Sequence, residues 1–184
     1  MSDPNDLAAF WGEAWQHLGR GVADAKSPAR FPVFATVSPS GVPEARTVVL
    51  RAASRSAAVL EVHTDIATAK VASLQASPLA ALHVWLPRAN LQIRVTADVD
   101  ILTGDAVEEA WEKVPQGSRV SYGTEPAPGT AIDHVYAYDK PPKRDRFAVL
   151  RCAVREMDLV HLGQQHRRAV YFRDDDFAGQ WVAP

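Results

Sequence analysis

The sequence predicts a mainly β fold, a β-barrel with helices flanking it. Six to eight short segments rich in β-branched residues are separated by Pro and Gly turns, and only two or three segments have helical periodicity. Hairpins outnumber strand–helix–strand units, which disfavours a doubly wound α/β sheet. A chain of 184 residues is long enough to bury a sizeable core within one domain. We therefore expect a single domain over residues 1–184.

The N-terminal segment, residues 1–22, is predicted to be a helix. Asn5 or Ser2 is the expected N-cap, and Gly19 with Gly21 marks the end. The apolar residues recur at three- and four-residue spacing: Leu7, Phe10, Trp11, Ala14, Trp15 and Leu18. We expect the two tryptophans among them to be packing anchors rather than a binding site.

The remaining elements follow from periodicity and turn residues. The clearest alternation of apolar and polar residues runs over 91–102. Thr64 or Asp65 is expected to cap the helix that precedes Pro78. Residues 115–146, rich in Pro, Gly and charge, are predicted to be a long functional or mobile loop. The predicted bounds are strands over 31–37, 42–51 and 59–63, a helix over 66–76, strands over 79–86 and 91–102, a helix over 104–114, and strands over 147–162, 168–173 and 177–182.

Charge and composition exclude several classes of partner. The formal net charge is −2, which lacks the basic excess of a nucleic-acid-binding protein. No apolar run approaches the roughly 20 residues of a membrane-spanning helix, and the acidic N-terminus does not resemble a signal peptide. A single cysteine, Cys152, is expected to be a small buried apolar residue. We expect a cytoplasmic protein without nucleic-acid, membrane or metal partners.

One group of polar residues has the chemistry of a phosphate site. Arg46 and Arg51 are five residues apart at the ends of a predicted strand, on opposite faces unless a bulge intervenes. Thr64, Thr68 and Lys70 lie at the start of the predicted helix, where hydroxyls and free N–H groups favour an anion. On spacing alone, arginines that face water remain the simpler interpretation.

Four short motifs, in order, make the anion site more specific. They are Arg46-Thr-Val-Val-Leu-Arg51, then His63-Thr64-Asp65 with Thr68 and Lys70, then Ser77-Pro-Leu-Ala-Ala-Leu82, and then Leu91-Gln-Ile-Arg-Val95. Through these motifs the stretch 31–102 resembles the pyridoxamine 5′-phosphate oxidase-like family of FMN-binding split barrels. Weaker similarity extends to the end of the chain.

The resemblance implies a Greek-key split barrel that forms a homodimer, with FMN at the subunit interface. It implies that Arg46 and Lys70 hold the FMN phosphate, that Gln92 meets the polar edge of the flavin ring, and that Arg168 also reaches FMN. The full set of cofactor-binding residues that it implies is Arg46, Thr47, Val48, Val49, Leu50, Arg51, His63, Thr64, Thr68, Lys70, Gln92 and Arg168.

Departures from the family pattern concern the substrate. Ala69 replaces a basic residue beside Lys70, and Ala110 and Val114 stand where the family places an aromatic residue and an arginine on the substrate phosphate. Of those substrate contacts Ser118 is retained, and Gln164 with His166 stands in place of an Arg-x-His pair. Each lost charge-assisted contact removes about 1.5–3 kcal/mol of binding free energy. Pyridoxamine or pyridoxine phosphate is therefore not the expected substrate.

Three functions remain open at the level of sequence. The first is an FMN-dependent oxidoreductase in which Arg51 and His166 are catalytic and Ser118 and His166 bind an unassigned substrate. The second is a non-catalytic split barrel that binds a flavin or a haem-like ligand. The third is a barrel without a ligand, in which Arg46 and Lys70 are merely solvated.

Overall fold

A computed structural model describes residues 4–184, which contain a nine-stranded antiparallel sheet flanked by helices. The mainly β prediction is confirmed. The strands are β1 Val33–Val37, β2 Pro43–Thr47, β3 Leu50–Ser54, β4 Val59–Asp65, β5 Leu79–Leu86, β6 Leu91–Leu102, β7 Phe147–His161, β8 Arg167–Phe172 and β9 Gln180–Val182. The α-helices are α1 Leu7–Ala23, α2 Ala69–Ala76 and α3 Glu108–Glu112, and 3-10 turns cover Pro28–Arg30, Gly104–Val107, Gln116–Ser121, Arg144–Arg146 and Arg173–Asp175.

The strands at the two ends of the sheet are consecutive in sequence. The strand order is β2-β1-β5-β6-β7-β4-β3, so β2 and β3 lie at opposite ends and are joined only by Val48 and Val49. The prediction of one strand over 42–51 is therefore wrong. The backbone N–H of Val48 donates to the carbonyl of Pro32 (3.0 Å), and the chain pairs with β4 from Leu50 onward. The change of partner, from β1 to β4, breaks the strand.

The long strand β7 holds the two halves of the sheet together. Residues 147–153 pair with β4, and residues 156–161 pair with β8, while β6 accompanies β7 on its other side. The register between β6 and β7 shifts after Thr96, which leaves Arg155 as an extra residue. A bulge of this kind bends a strand and lets it serve two sheet edges. Cys152, on the first half of β7, is fully buried as predicted.

Strands β5 and β6 have the predicted bounds, whereas the two predicted inner helices are shorter. Strand β4 extends to Asp65, and α2 begins at Ala69 with Thr68 at its N-cap and no side-chain capping bond. The prediction that Thr64 or Asp65 caps a helix over 66–76 is wrong, because both residues belong to β4. The segment 104–114 is a 3-10 turn followed by the five-residue α3.

Helix α1 packs across one side of the barrel through its tryptophans. The Trp11 ring stacks on Phe177 (4.9 Å between centroids) and tilts against Tyr171 (5.0 Å), and Trp15 is buried. Trp11 and Trp15 thus confirm the packing prediction. The N-cap is Asp6, whose carboxylate accepts from the Ala9 N–H (2.9 Å). Asp6 rather than the predicted Asn5 therefore caps α1, and Ser2 lies outside the described residues.

The buried carboxylate of Asp65 anchors the segment between α3 and β7. Its Oδ1 accepts from the Ala67 N–H (2.8 Å) and from Nε of Arg146 (2.9 Å), and its Oδ2 accepts from the Gly123 N–H (2.8 Å). Gly123 has a φ of +123°, and a Cβ there would lie 2.2 Å from the carbonyl oxygen of Pro141. One side chain thus fixes both ends of the loop 123–146 against the end of β4. Among residues 4–184 no helix is long and apolar enough to cross a membrane.

Replacing Asp65 with Asn is expected to lower the free energy of unfolding by about 3 kcal/mol, because Arg146 loses its buried partner. The urea midpoint measures this loss, and limited proteolysis reports cleavage between residues 124 and 143. Glu109→Gln, which removes an exposed partner of Lys113, is the matched control and should change stability by less than about 0.5 kcal/mol. Equal stability of Asp65→Asn and the wild type would contradict the anchoring role.

Candidate functional site

Arg46 is held firmly at the end of the sheet. It lies on β2 opposite Phe34 of β1, and its Nη1 donates to the Phe34 carbonyl (3.3 Å), to Oγ1 of Thr36 (2.8 Å) and to the Glu44 carbonyl (3.2 Å). Its Nη2 donates to the Glu44 carboxylate (3.0 Å). The side chain is 24% exposed, so the guanidinium is ordered by protein contacts and still open to a ligand.

Lys70 adds a second positive charge near Arg46, and its ammonium group contacts two hydroxyls. Its Nζ donates to Oγ1 of Thr64 (3.0 Å) and Oγ1 of Thr68 (3.1 Å), and the two hydroxyls lie 3.3 Å apart. Burial, followed by the like charge of Arg46, lowers the pKa of Lys70, while Asp65 opposes the shift. The structure therefore groups Thr64, Thr68 and Lys70 and places Arg46 near them, an arrangement that the motif resemblance implied and that spacing alone did not favour.

The chemistry of this phosphate cluster, Arg46 with Lys70, Thr64 and Thr68, fits an anion. Two cations lie close enough for Arg46 to lower the pKa of Lys70, and a bound phosphate would relieve that repulsion. A guanidinium, an ammonium and hydroxyl donors are the groups that proteins use to hold phosphate esters. The residues present thus fit a phosphate group.

A cavity of about 450 Å³ lies beside the start of β3, just after the crossing from β2. Arg51 and His63 line it together with the α3 region, and the remaining lining residues are Val22, Arg30, Leu50, Ala52, Glu61, Leu102, Ala106, Glu109, Ala110, Lys113, Val114, Pro115 and Val149. Arg51 sits at a register shift between β3 and β4. The expectation of opposite faces assumed one strand without a bulge, but Arg46 and Arg51 lie on different strands and Arg51 is at a bulge.

His63 is held in its neutral form. Burial, followed by the positive charge of Arg51, lowers the pKa of His63 to about 4. Its ring packs edge-on against Phe147, with 4.9 Å between centroids, and its buried Nδ1 has no hydrogen-bond partner among residues 4–184. Burial also raises the pKa of Tyr122, against the opposing charge and hydrogen bond of Arg51. Arg51 is thus the positively charged member of a group whose other members, His63 and Tyr122, stay uncharged near pH 7.

The wall of the cavity contains few ligands for a second phosphate. Ala110 and Val114 face it, and Ser118 lies outside its lining, half-buried in the 3-10 turn Gln116–Ser121. Lys113 lines the cavity but forms an exposed ion pair with Glu109 (2.5 Å). Arg51 and Arg30, the other two cations of this wall, have no carboxylate partner among the ion pairs of residues 4–184, and Nη1 of Arg30 donates to the backbone carbonyl of Val22 (3.1 Å).

Gln92, Arg168 and His166 lie elsewhere in the same chain. Gln92 pairs with Val160 of β7, which pairs with Arg168 of β8, so Gln92 and Arg168 share one face of the sheet. Arg46 lies on the opposite face. It pairs with Phe34 of β1, which pairs with Leu82 of β5. Leu82 in turn pairs with Val95 of β6, so these four residues share one face. Residues 92 and 95 are three apart and therefore point to opposite faces.

His166 and the Arg51 cavity are separated by the full length of β6. His166 is exposed and lies next to β8, close to the end of β6 where Leu91 pairs with His161. Leu102, at the other end of β6, lines the Arg51 cavity. Twelve residues of strand span about 35–40 Å. Arg51 and His166 of one chain therefore do not meet at one site.

An ion-pair group that the sequence reasoning missed joins β6, β7 and β8. Arg168 donates to Asp158 through Nε (3.1 Å) and Nη2 (2.8 Å), and Arg94 forms an ion pair with the same carboxylate. Burial raises the pKa of Asp158, but the hydrogen bonds and charges of Arg168 and Arg94 outweigh burial and lower it. The pairing depends on cross-strand register, so it had no local signal in the sequence.

These features define a split barrel with a phosphate cluster at the junction of β2 and β3, and sequence comparison identifies its family. A family model described as "Pyridoxamine 5'-phosphate oxidase, FMN-binding domain" matches residues 11–103. The chain belongs to this family, as the motif resemblance predicted.

Relatives of known description agree with the family. A pyridoxine/pyridoxamine 5′-phosphate oxidase of Microcystis aeruginosa is 28% identical over 181 residues, covering 90% of this chain and 82% of that protein. A protein of the same description from Mycolicibacterium paratuberculosis is 31% identical over 88 residues, 48% of this chain. The chain spans only 39% of the length of that second relative.

Solved structures show the same fold. A pyridoxamine 5′-phosphate oxidase-related, FMN-binding protein of Nostoc punctiforme PCC 73102 aligns with a TM-score of 0.76 and 25% identity, covering 94% of this chain and 96% of that one. PhzG of Burkholderia lata 383, solved with tetrahydrophenazine-1-carboxylic acid, aligns with a TM-score of 0.72 and 19% identity, covering 99% and 95%. The sheet is therefore the split barrel of the FMN-binding proteins.

The lowered pKa of His63 makes stability depend on pH in a defined window. The unfolded chain takes up a proton near pH 6.5, whereas the folded chain does so only near pH 4, so the stabilisation is present above pH 6.5 and is lost as the pH falls toward 4. When the pH falls from 7 to 5, the wild type should lose about 1–2 kcal/mol more of its unfolding free energy than His63→Gln loses. Urea unfolding at both pH values measures this difference, and His134→Gln, which removes an exposed imidazole, is the control. An undiminished loss in His63→Gln would contradict the assignment.

Proposed function

We propose that this chain is an FMN-dependent oxidoreductase whose substrate is neither pyridoxamine nor pyridoxine phosphate. The observation that carries the proposal is the phosphate cluster, in which Lys70 contacts the hydroxyls of Thr64 and Thr68. Arg46 lies close to the same helix, since the Glu44 carboxylate accepts from both Arg46 and Ser73. Membership in a family described by its FMN-binding domain supports the choice of ligand. FMN, when bound, supplies hydride and electron transfer.

The segment Thr47–Leu50 connects the phosphate cluster to the cavity. Val48 is buried and its N–H is bonded to Pro32, so the backbone here is ordered and suited to lie beside a flat ring. Val49 and Leu50 lead directly to Arg51 in the cavity wall. A flavin whose phosphate rests on Arg46 and whose ring follows this segment would place its reactive edge near Arg51 and His63.

The substrate is proposed to enter the cavity beside Arg51. The guanidinium of Arg51 would hold an anionic group, while Ala110 and Val114 leave this wall without the contacts that a substrate phosphate needs. His63, neutral above about pH 4, would exchange a hydrogen bond rather than carry charge. Ser118 and His166 are proposed as further substrate contacts, with His166 as the proton donor or acceptor.

A second copy of the chain is part of the proposal. Gln92, Arg168 and His166 can approach the same FMN as Arg46 only if another protomer supplies them, because in one chain they lie on the opposite face or at the far end of β6. The outer face of the sheet exposes apolar side chains that a partner would cover: Val33, Val37, Leu79 and Trp85 are each 38–47% exposed. We propose a homodimer through this face, with each FMN site shared between the protomers.

Arg46→Ala is expected to weaken FMN binding about ten- to a hundredfold, because it removes a charge-assisted contact to the phosphate. Quenching of flavin fluorescence on titration with the purified protein measures the dissociation constant. Arg88→Ala, which removes an exposed arginine from the turn between β5 and β6, should leave the constant unchanged. Unaltered FMN affinity in Arg46→Ala would place the phosphate elsewhere.

Colour and reduction separate the catalytic function from simple flavin binding. The purified protein should be yellow or become yellow with FMN, and its flavin absorbance should bleach with NADH or NADPH or with a substrate. A yellow protein that no donor reduces would favour the non-catalytic flavin-binding alternative. A protein that stays colourless after incubation with FMN would contradict the proposal as a whole.

Val33→Asp is expected to convert the dimer to a monomer, since it places a charge in the apolar face without disturbing the core. Size-exclusion chromatography with light scattering measures the mass in solution. Ala25→Asp introduces the same charge at an exposed position outside the sheet and should leave the dimer intact. A wild-type monomer that retains FMN would contradict the shared site.

A further inference from the structure

The phosphate cluster contains an acid that competes for the same guanidinium. Glu44 lies two residues before Arg46 on β2, and alternation along a strand therefore places both side chains on one face. Oε2 of Glu44 accepts from Nη2 of Arg46 at 3.0 Å and from Oγ of Ser73, on α2, at 3.3 Å. The carboxylate thus stands between the guanidinium and the helix that carries Lys70.

The donors of Arg46 divide into two groups. Nη1 donates to three neutral oxygens, those of the Phe34 carbonyl, the Thr36 hydroxyl and the Glu44 carbonyl. These contacts fix the position of the guanidinium without using the Glu44 carboxylate. Nη2 donates to that carboxylate alone among the contacts of the described residues. The carboxylate therefore occupies one of the two N–H groups of Nη2, the nitrogen that an incoming phosphate oxygen would use.

The charges of the two anions oppose each other at this place. A phosphate monoester carries about −1.5 to −2 charges at pH 7. A carboxylate that is hydrogen-bonded to the same guanidinium repels this phosphate. Asp65, the other acid near Lys70, is already paired with Arg146 (2.8 Å). Glu44 is thus the acid whose charge offsets Arg46 in the phosphate cluster.

We propose that Glu44 competes with the FMN phosphate for Arg46, so that FMN binding transfers the carboxylate from Nη2 of Arg46 to Ser73 alone. The inference rests on the proposed function, since it takes FMN as the ligand. It gives Glu44 a role in setting cofactor affinity: the carboxylate occupies the cluster when FMN is absent and weakens its grip on the phosphate. With Ala69 contributing no charge beside Lys70, FMN is held as an exchangeable ligand.

A purely positioning role for Glu44 has the opposite consequence. If its carboxylate were needed to orient Arg46, removing the charge would loosen the guanidinium and weaken FMN binding. The sign of the change in affinity therefore separates competition from positioning.

The test compares FMN with riboflavin, which has the same ring and no phosphate. Glu44→Gln keeps the size and the acceptor oxygen of the side chain while removing its charge. It should tighten the FMN dissociation constant about fivefold, leave the riboflavin constant within twofold, and slow the loss of FMN on dialysis. Glu44→Ala serves as the second variant and should tighten FMN binding in the same direction.

A double-mutant cycle checks that the effect passes through Arg46. In an Arg46→Ala background, Glu44→Gln should change FMN affinity by less than twofold. FMN affinity that is unchanged or weaker in Glu44→Gln, or a tightening that riboflavin shows equally, would overturn the inference while leaving the proposed function standing. A wild-type protein that binds neither flavin would overturn the proposed function itself.

Discussion

The chain crosses from one end of the sheet to the other over two residues, Val48 and Val49, and both halves of the candidate site depend on this crossing. Strand β2 ends against β1, and β3 begins against β4, so the crossing closes the barrel. Arg46 precedes the crossing and Arg51 follows it, so the two side chains lie in different surroundings. One lies in a cluster of hydroxyls and cations, and the other lies in the wall of a cavity.

The end of β4 connects these two surroundings. Thr64 faces Lys70, whereas His63, one residue earlier, faces the cavity, because successive residues of a strand point to opposite faces. Asp65, the last residue of β4, holds Gly123 and Arg146 and so keeps the segment between α3 and β7 close to the site. Three consecutive residues of β4 thereby contribute a hydroxyl beside Lys70, a side chain in the cavity wall and the carboxylate that anchors the loop.

Much of the fold could be predicted from local pattern. Strands β5 and β6 were bounded correctly because their alternation is regular and Pro or turn residues end them. The break between β2 and β3 could not be predicted, because Val48 and Val49 continue the β-branched run and only the change of partner strand interrupts it. Asp65 looked like a helix cap, since its partners Gly123 and Arg146 are 58 and 81 residues away in sequence.

The candidate site was predictable in part. Arg46, Thr64, Thr68 and Lys70 lie near one another as the motif order suggested, although spacing alone favoured solvated arginines. Glu44 was within reach of sequence reasoning, because a residue two positions before Arg46 on a strand shares its face. The pairing of Arg168 with Asp158 needed the register of β7 and β8. The separation of His166 from Arg51 needed the path of β6.

The central claim is that Arg46 and Lys70 receive the phosphate of FMN at a site completed by a second protomer. A crystal structure of the protein grown with FMN tests it most directly. Phosphate oxygens are expected within hydrogen-bond distance of Arg46 and Lys70, with Gln92 and Arg168 of the partner subunit beside the ring. A phosphate bound by other residues, or a flavin enclosed by one protomer alone, would contradict the account.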